Sequence, residues 1–354
     1  MKTTRDLTPN TLLPIKIVLW ILSIVTLVTA VFFTYEYLNY KKNIYISEKI
    51  RLEHLNKNAI DKIEAIVKES MKAADKLANR LTKDKIPKSK MRQTLARMIK
   101  SDKHIYGGTI TFAPYGYDKN KRLHSDYYSK SGKNGALEYL LLSDLYDYTT
   151  ADYDWYIEPM QKGNRWGEPY WDEAGRTFMI TYSSVFYKKD SQTGKKVPNG
   201  VITVDISLEE MKNIIESLNL GNGGFGTLTT KTGRYIYHPN YEYIRLQKNV
   251  TEIATEAKDE NMLEAIDIMS KNREGVIDYT NPTTKQKSWL FYNSINAGWS
   301  LQTTFFLDDL YIDTTTMRQQ LIKTITMALF MMITLSVLYI LHTLPLTHRK
   351  VWFF

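Results

Sequence analysis

The sequence predicts an α+β fold held between two transmembrane helices, and three observations favour it. Apolar stretches almost free of charge cover residues 17–35 and 324–344, each near the roughly 20 residues that cross a bilayer as a helix. Residues 36–81 carry apolar side chains at helical spacing and contain no Pro or Gly. Two groups of β-rich runs follow, separated by a helical segment. These patterns predict two spans that flank a long stalk helix and two tandem antiparallel-sheet modules.

The composition argues against several classes of function. The 354 residues include no cysteine, so neither disulfides nor thiolate metal sites are expected. The net charge is +9, but Lys and Arg are interspersed with Asp and Glu, and no basic tract indicates a nucleic-acid partner. Aromatic residues make up 12% of the chain, a content that suits both ligand pockets and β-rich cores.

The two apolar stretches predict a membrane topology. The stretch at 17–35 is longer than a signal-peptide core and no small-residue cleavage site follows it, which indicates an uncleaved anchor. Basic residues flank both sides of both spans and discriminate poorly between orientations, but a long folded loop crosses the membrane largely regardless of charge. We therefore expect cytoplasmic tails at 1–16 and 345–354, the second span at 324–344, and an extracytoplasmic domain at 36–315. The expected location is the cell (inner) membrane.

The predicted stalk helix, residues 36–81, has an apolar seam in its second half. Residues spaced by three and four form this seam: Ile60, Ile63, Val67, Met71, Ala74, Leu77 and Leu81. Such spacing places them on one face of a helix. Two interpretations remain open, because the seam suits either a dimer interface between two copies or packing against the protein's own domain.

Residues 82–206 are predicted to form a membrane-distal module. Pro87 ends the stalk pattern, and a short helix is expected at 90–101. Strands are predicted at 105–115, 179–187 and 200–206. The charged segment 188–199 contains Gly and Pro and predicts a hairpin loop.

A linker helix is predicted at 207–218, because Ser207 followed three residues later by Glu210 forms a capping-box signature. The membrane-proximal module follows at 219–315. Its strands are predicted at 225–230, 235–238, 275–279, 288–295 and 299–306, with a helix at 259–271. The Gly-rich segment 221–224 opens a strand rather than a helix, so it predicts a turn and not a phosphate loop. His238, Pro239 and Asn240 likewise predict a turn.

The order of these elements, with several short motifs, resembles the double Cache (tandem PAS-like, or PDC) extracytoplasmic sensor domains of bacterial transmembrane receptors. The motifs that carry the resemblance are DWY at 154–156, WGEPY at 166–170, MITYS at 179–183, GVITVDI at 200–206, GRYIYHPN at 233–240 and GWSL at 298–301. The resemblance covers residues 36–315. It implies that the membrane-distal module binds a small-molecule ligand and that the protein forms a homodimer.

The resemblance also implies a set of ligand contacts. They are Tyr153, Trp155, Tyr156, Trp166, Tyr170, Tyr182 and Asp205. In the amino-acid-binding branch of the family, an Arg at the position of Tyr153 holds the ligand's carboxylate, and the position of Asp205 holds its amino group. Because Tyr cannot replace the bidentate contact of Arg, an aromatic box with one carboxylate favours an amine or another cation. The alternative interpretation makes Trp155 and Trp166 core residues and Asp205 a cap of the helix that follows.

Sequence signatures of catalysis are absent. The six His are scattered, and the sequence contains no HExxH pair, P-loop, GxSxG or GxGxxG motif. No enzymatic activity, cofactor or metal is therefore expected. The favoured function is a membrane-anchored small-molecule sensor without an output domain of its own, because residues 345–354 are too short for one. The output domain is expected either to be lost by truncation or to be supplied by a separate cytoplasmic protein. The alternatives are an adaptor or decoy that pairs with a full-length receptor, and a tethered ectoenzyme.

Overall fold

The computed structural model describes residues 9–343 and divides them between two compact units. Leu52–Leu307 form one unit, and the described parts of the terminal helices outside that range form the other. The predicted tails, 1–16 and 345–354, lie outside the described residues apart from the start of the first helix.

Two long helices, α1 (Pro9–Thr82) and α8 (Leu307–Thr343), contain the predicted spans. Each has a segment long and apolar enough to cross a membrane. Trp20 and Phe330 in these segments are each 71% exposed, as expected for surfaces that are not packed into a protein core. The helices are therefore compatible with membrane anchoring, and the two-span topology stays a prediction.

The apolar seam of α1 packs against the protein's own domain. Ile63 and Ala74 are fully buried, and Val67, Leu77 and Leu81 are nearly so. The seam joins two core clusters, one with residues of both sheet modules and one with the short helix that follows α1. The dimer interpretation is therefore wrong for this seam, because its side chains are already covered by the same chain.

The membrane-distal module is built on a seven-stranded antiparallel sheet of order β3-β2-β1-β7-β6-β4, with β5 also paired to β6. Its strands are β1 (Gly107–Phe112), β2 (Ser125–Ser129), β3 (Glu138–Leu141), β4 (Arg165–Trp166), β5 (Tyr170–Asp172), β6 (Thr177–Lys189) and β7 (Lys196–Ser207). Helix α1 and the predicted short helix, α2 (Lys88–Ser101), cover one face of the sheet. Helix α3 (Asp154–Lys162) packs over the other face.

The predicted hairpin loop at 188–199 is wrong in its extent. Strand β6 continues through Lys189, which pairs with Lys196 at the start of β7. The remaining turn is closed by Asp190, whose Oδ1 accepts the Thr193 N–H at 2.7 Å. The predicted hairpin is therefore present, but its paired strands extend into the charged segment, because pairing of backbone groups needs no apolar side chains.

The linker helix forms as α4 (Leu208–Glu216), but the predicted capping box does not. Ser207 occupies the N-cap position without a side-chain hydrogen bond. Glu210, the expected reciprocal partner, instead lies 2.6 Å from Nδ1 of His104, with its carboxylate directed at that imidazole. The contact of Glu210 with His104 has thus replaced the predicted capping box with Ser207.

The membrane-proximal module contains a five-stranded antiparallel sheet of order β10-β11-β12-β8-β9, and its predicted strands are present. The strands are β8 (Phe225–Thr229), β9 (Tyr235–Tyr237), β10 (Glu274–Thr280), β11 (Lys287–Ser294) and β12 (Ser300–Phe306). Three helices connect them, namely α5 (Tyr241–Arg245), α6 (Val250–Glu256) and the predicted α7 (Glu260–Lys271). One sheet face packs on α1, since Thr303 Oγ1 donates to Asn56 Oδ1 at 3.4 Å.

The two sheet modules contact each other directly. The rings of Trp166 and Trp299 meet edge to face at a centroid distance of 5.0 Å. Thr230 donates a hydrogen bond of 2.8 Å to Glu168, so a polar contact accompanies the aromatic one. The modules therefore share a core rather than being joined only by the linker helix.

Candidate ligand-binding site

Strand β6 presents two different faces, and this alternation positions the candidate site. Successive strand residues point to opposite sides of a sheet. Thr181 and Ser183 point away from α1, where Ser183 Oγ donates to the carbonyl oxygen of Trp155 in α3 at 2.7 Å. Tyr182 and Ser184 point towards α1. The candidate site lies on the α3 side of the sheet.

Asp205 is the only predicted contact with an ionisable carboxylate, and the structure buries it to 1% exposure. It lies directly opposite Thr181 in the β6–β7 pairing, and Thr181 Oγ1 donates to its Oδ1 at 2.8 Å. Burial, together with the nearby charge of Asp172, raises the pKa of Asp205 to about 7. Asp205 belongs to β7 and its side chain bonds to Thr181, so the helix-cap alternative is wrong.

Further polar groups lie near this carboxylate. The Tyr170 hydroxyl lies 3.1 Å from Thr181 Oγ1, so Tyr170 shares a hydrogen-bonding partner with Asp205. The Tyr127 hydroxyl donates to Asp172 Oδ2 at 3.4 Å, and the Gly175 N–H donates to the same oxygen at 2.5 Å. Burial raises the pKa of Asp172 as well. Two carboxylates thus lie in one poorly solvated region.

Aromatic residues pack on the same side of the sheet as Asp205. Tyr153 stacks on Tyr146 at a centroid distance of 4.4 Å and an interplanar angle of 9°. Trp155 meets Tyr153 edge to face at 6.5 Å, and Tyr156 meets Tyr148 edge to face at 4.9 Å. Trp155 and Tyr156 are 8% and 3% exposed. They belong to the module's core, and their role as ligand contacts stays a prediction.

Two of the predicted contacts lie elsewhere. Trp166 and Tyr182 are paired neighbours on β4 and β6, on the face opposite Asp205. The Tyr182 hydroxyl donates to Asp75 of α1 at 3.1 Å, and Trp166 packs between Tyr182 and Trp299. Their assignment to a pocket shared with Asp205 is corrected on this geometry, because a sheet separates the two sets of side chains.

The structure also adds residues that sequence reasoning missed. Thr181, Asp172, Tyr127 and Tyr146 all lie next to the predicted residues. Thr181 was within reach of prediction, because it precedes Tyr182 in the MITYS motif and alternation places it on the other face. The others come from segments whose approach depends on long-range strand register.

Comparison with known proteins relates the membrane-distal module to one family of sensor domains. Residues 91–213 match the family described as methyl-accepting chemotaxis protein-like, first PDC sensor domain. The chain is also 28% identical over 159 residues to the methyl-accepting chemotaxis protein TlpB of Bacillus subtilis, a match that covers 44% of this chain and 20% of TlpB. The matched region thus spans about a fifth of this relative's length.

Solved structures share the fold of the chain. The extracellular domain of the histidine kinase soHK1S-Z6 is 20% identical, with a TM-score of 0.60 over 76% of this chain and 99% of that domain. The sensory domain of the Campylobacter jejuni chemoreceptor Tlp3, solved with isoleucine bound, is 16% identical, with a TM-score of 0.51 over 76% of this chain and 97% of that domain. The described residues therefore share the fold of PDC (Cache-like) sensor domains, and residues 91–213 are similar to the first such domain of chemotaxis receptors, as the sequence predicted. The matched regions are sensor domains of chemoreceptors and of a histidine kinase. The expectation that this chain has no enzymatic activity stays a prediction.

Proposed function

We propose that this protein is the ligand-sensing part of a transmembrane receptor and that its membrane-distal site binds a small molecule through a protonated amine. The observation that carries the proposal is the environment of Asp205. Its carboxylate is 1% exposed, and among the described residues its hydrogen-bond partner is the Thr181 hydroxyl. A buried carboxylate with so few partners is costly when charged, and a cationic ligand would supply the missing counter-charge.

The surroundings favour a cation without a carboxylate of its own. Tyr153, at the position where the amino-acid-binding branch has Arg, is stacked on Tyr146 and brings no positive charge. Arg176 is committed to an ion pair with Glu138. Aromatic faces attract cations, with energies of about 0.5–2 kcal/mol each. An amine bound between Asp205 and these rings fits that chemistry, whereas an α-amino acid would leave its carboxylate without a basic partner.

Strand β6 provides a physical route from this site to α1. Thr181 contacts Asp205 on the ligand side, and the next residue, Tyr182, donates to Asp75 of α1. Asp75 also accepts from Ser184 at 2.6 Å and from Asn164 at 3.0 Å. A ligand that binds better to one position of β6 would shift the population of positions of α1. This coupling needs only a small displacement, because the hydrogen bonds join the two elements directly.

Amine binding by the full chain in lipid nanodiscs tests the ligand assignment. Isothermal titration compares phenethylamine with 2-phenylethanol, an uncharged molecule of similar shape. The difference between them measures the contribution of the ligand's charge to binding. We expect binding of the amine only, and its loss in Asp205→Asn. The control is Asp61→Asn, which makes the same change at an exposed residue of α1. Because Asp205 must release a proton, affinity should fall roughly tenfold per pH unit below its pKa of about 7.

Two outcomes would contradict the amine assignment: equal binding of the alcohol, or amine binding that survives Asp205→Asn. The remaining features of the proposal are a homodimer, cytoplasmic termini and transfer of the signal to a cytoplasmic signalling protein. The cysteine-free chain allows the topology to be tested with one Cys at exposed Lys119. An impermeant maleimide should label it in intact cells, and labelling only after lysis would reverse the orientation.

A further inference from the structure

The second sheet leaves a cavity of about 780 Å³ between one of its faces and helices α6 and α7. We call this space the proximal cavity; all its lining residues lie between Phe225 and Phe306. Protein interiors rarely contain voids much larger than a water molecule, and small-molecule sites typically measure about 300–1,000 Å³. The proximal cavity has the size of a ligand site and is separate from the site around Asp205.

The floor of the proximal cavity is polar but uncharged. Gln302 of β12 accepts a hydrogen bond from the Thr227 hydroxyl at 2.8 Å and donates to Thr229 Oγ1 at 3.2 Å. Thr229 and Gln302 are 4% and 9% exposed. These hydrogen bonds fix the floor as a row of hydroxyl and amide groups, which suits neutral polar atoms of a ligand better than ions.

The roof of the cavity is apolar. It consists of side chains from α6 and α7, including Ile253, Met262, Ile266 and Met269. These four residues are only half-buried although they face the sheet. Thioether and branched aliphatic side chains adapt to irregular apolar surfaces, so a ligand that filled the cavity would cover them.

Aromatic rings close one end of the cavity. His238 lies 4.7 Å from Tyr235 and 4.6 Å from Tyr243 between ring centroids, and Phe225 lies 6.2 Å away. Nδ1 of His238 accepts the Asn240 N–H at 2.8 Å, which leaves the proton on Nε2. Burial lowers the pKa of His238 to about 4, so the imidazole is neutral near pH 7. The ring cluster therefore offers flat apolar surfaces and an uncharged N–H donor.

The charged residues that line the cavity are already committed or lie at its edge. Asp259 caps α7 through the Met262 N–H at 2.9 Å and accepts a hydrogen bond from the Tyr279 hydroxyl. Lys231 is solvent-exposed, which places it at the rim. An anionic ligand would therefore find no counter-ion deep in the described lining. A cationic ligand would meet only the carboxylate of Asp259, whose two oxygens already accept hydrogen bonds.

We propose that the proximal cavity is a second ligand site, which binds an uncharged, ring-bearing small molecule with a hydrogen-bond acceptor for His238. The ligand proposed for this cavity is uncharged, whereas the ligand proposed for the site around Asp205 is a cation. It lies on the sheet face away from α1, and β12 links the two sides: Gln302 lines the cavity, and the next residue, Thr303, contacts Asn56 of α1. Occupancy of this site would thus reach the stalk helix by a route separate from β6.

Protection of an introduced cysteine tests this site in the full chain, since the native chain has none. Met269→Cys places a thiol in the cavity wall, and Thr255→Cys places the control thiol on an exposed position of α6 outside the lining. The chain in lipid nanodiscs is treated with N-ethylmaleimide, with or without 2-naphthamide. The anion 2-naphthoate and the cation 2-naphthamidine serve as charged probes of similar shape.

We expect 2-naphthamide to slow alkylation at position 269 saturably and not at position 255, and the charged probes to protect far less. Ala257→Trp, at the exposed rim, should abolish this protection. His238→Phe keeps the ring but removes the donor, and should weaken protection by about 3- to 10-fold. Equal alkylation with and without the amide, equal protection by a charged probe, or protection that survives both variants would overturn the proposal. None of these results depends on amine binding at Asp205.

Discussion

Replacing Asp205 by Asn should stabilise the ligand-free protein above pH 7, although a buried hydrogen-bonded residue is being changed. Asn retains an oxygen that can accept from Thr181, and it carries no charge. The pKa of Asp205 rises from 3.8 in the unfolded chain to about 7 in the folded protein. A difference of this size corresponds to on the order of 4 kcal/mol against the charged folded form. The carboxylate thus opposes folding at neutral pH unless a cation accompanies it.

The sign of the pH dependence follows from proton binding. Between pH 3.8 and about 7 the folded protein holds a proton on Asp205 that the unfolded chain has released, so its contribution to stability falls as pH rises through this window. Below the window the wild type and Asp205→Asn should be similar in stability. Above it the variant should be more stable. Asp172 titrates in both proteins, so the difference between them reports Asp205 together with its coupling to Asp172.

Thermal unfolding of the full chain in nanodiscs, followed by near-UV circular dichroism from about pH 4 to about pH 8, measures this difference. For a domain of this size each kcal/mol shifts Tm by about 2–4 °C, so the variant should melt roughly 10 °C higher at the alkaline end. Asp61→Asn should track the wild type throughout. A saturating concentration of phenethylamine should make the wild type melt higher than Asp205→Asn, since the amine stabilises only the protein that retains the carboxylate. Parallel pH profiles for wild type and Asp205→Asn would refute the reasoning.

Three further substitutions test the packing and the coupling. Ile63→Ala empties a fully buried position of α1 and should cost about 2–5 kcal/mol in urea unfolding; a negligible loss would contradict packing of the seam within the domain. Gly108→Ala would bring a Cβ within 2.3 Å of the Thr203 carbonyl oxygen, so we expect a loss of about 1–3 kcal/mol or failure to fold; a stability equal to wild type would show that the strands separate easily. Asp75→Ala removes the acceptor shared by Tyr182, Ser184 and Asn164 and should cost about 1–3 kcal/mol. If β6 couples to α1, amine affinity should persist in this variant while ligand-dependent changes in labelling of cysteines on α1 disappear; unchanged labelling responses would argue for another route.

The elements that the sequence predicted well have strong local patterns. Helix α2 buries Leu95 and Ile99 four residues apart, and turn signals separate the strands of the second module. Strand β2 was missed because its buried residues include Ser125, Asp126 and Ser129, whose polarity is typical of a loop. Helix α3 was missed because it is short and contains Pro159. In both segments tertiary contacts outweigh local preference.

The candidate site was predictable only in part for a similar reason. Asp205 and Tyr170 were selected by family resemblance, and the structure joins them through Thr181. Tyr182 was selected by the same resemblance, yet strand alternation places it on the other side of the sheet. Asp172 reaches the site through a turn in which Gly175 contacts its carboxylate, and no sequence spacing indicates that approach. The proximal cavity is likewise a product of sheet curvature and helix placement.

The alternation of β6 has a practical consequence for engineering. Under the proposed function, substitutions at Thr181 change the ligand side of the strand, while Tyr182 and Ser184 keep their hydrogen bonds to Asp75. Ligand binding and its transmission to α1 would then depend on alternate positions of one strand. A library restricted to the ligand side would therefore test whether specificity can be changed while the contact with α1 is kept.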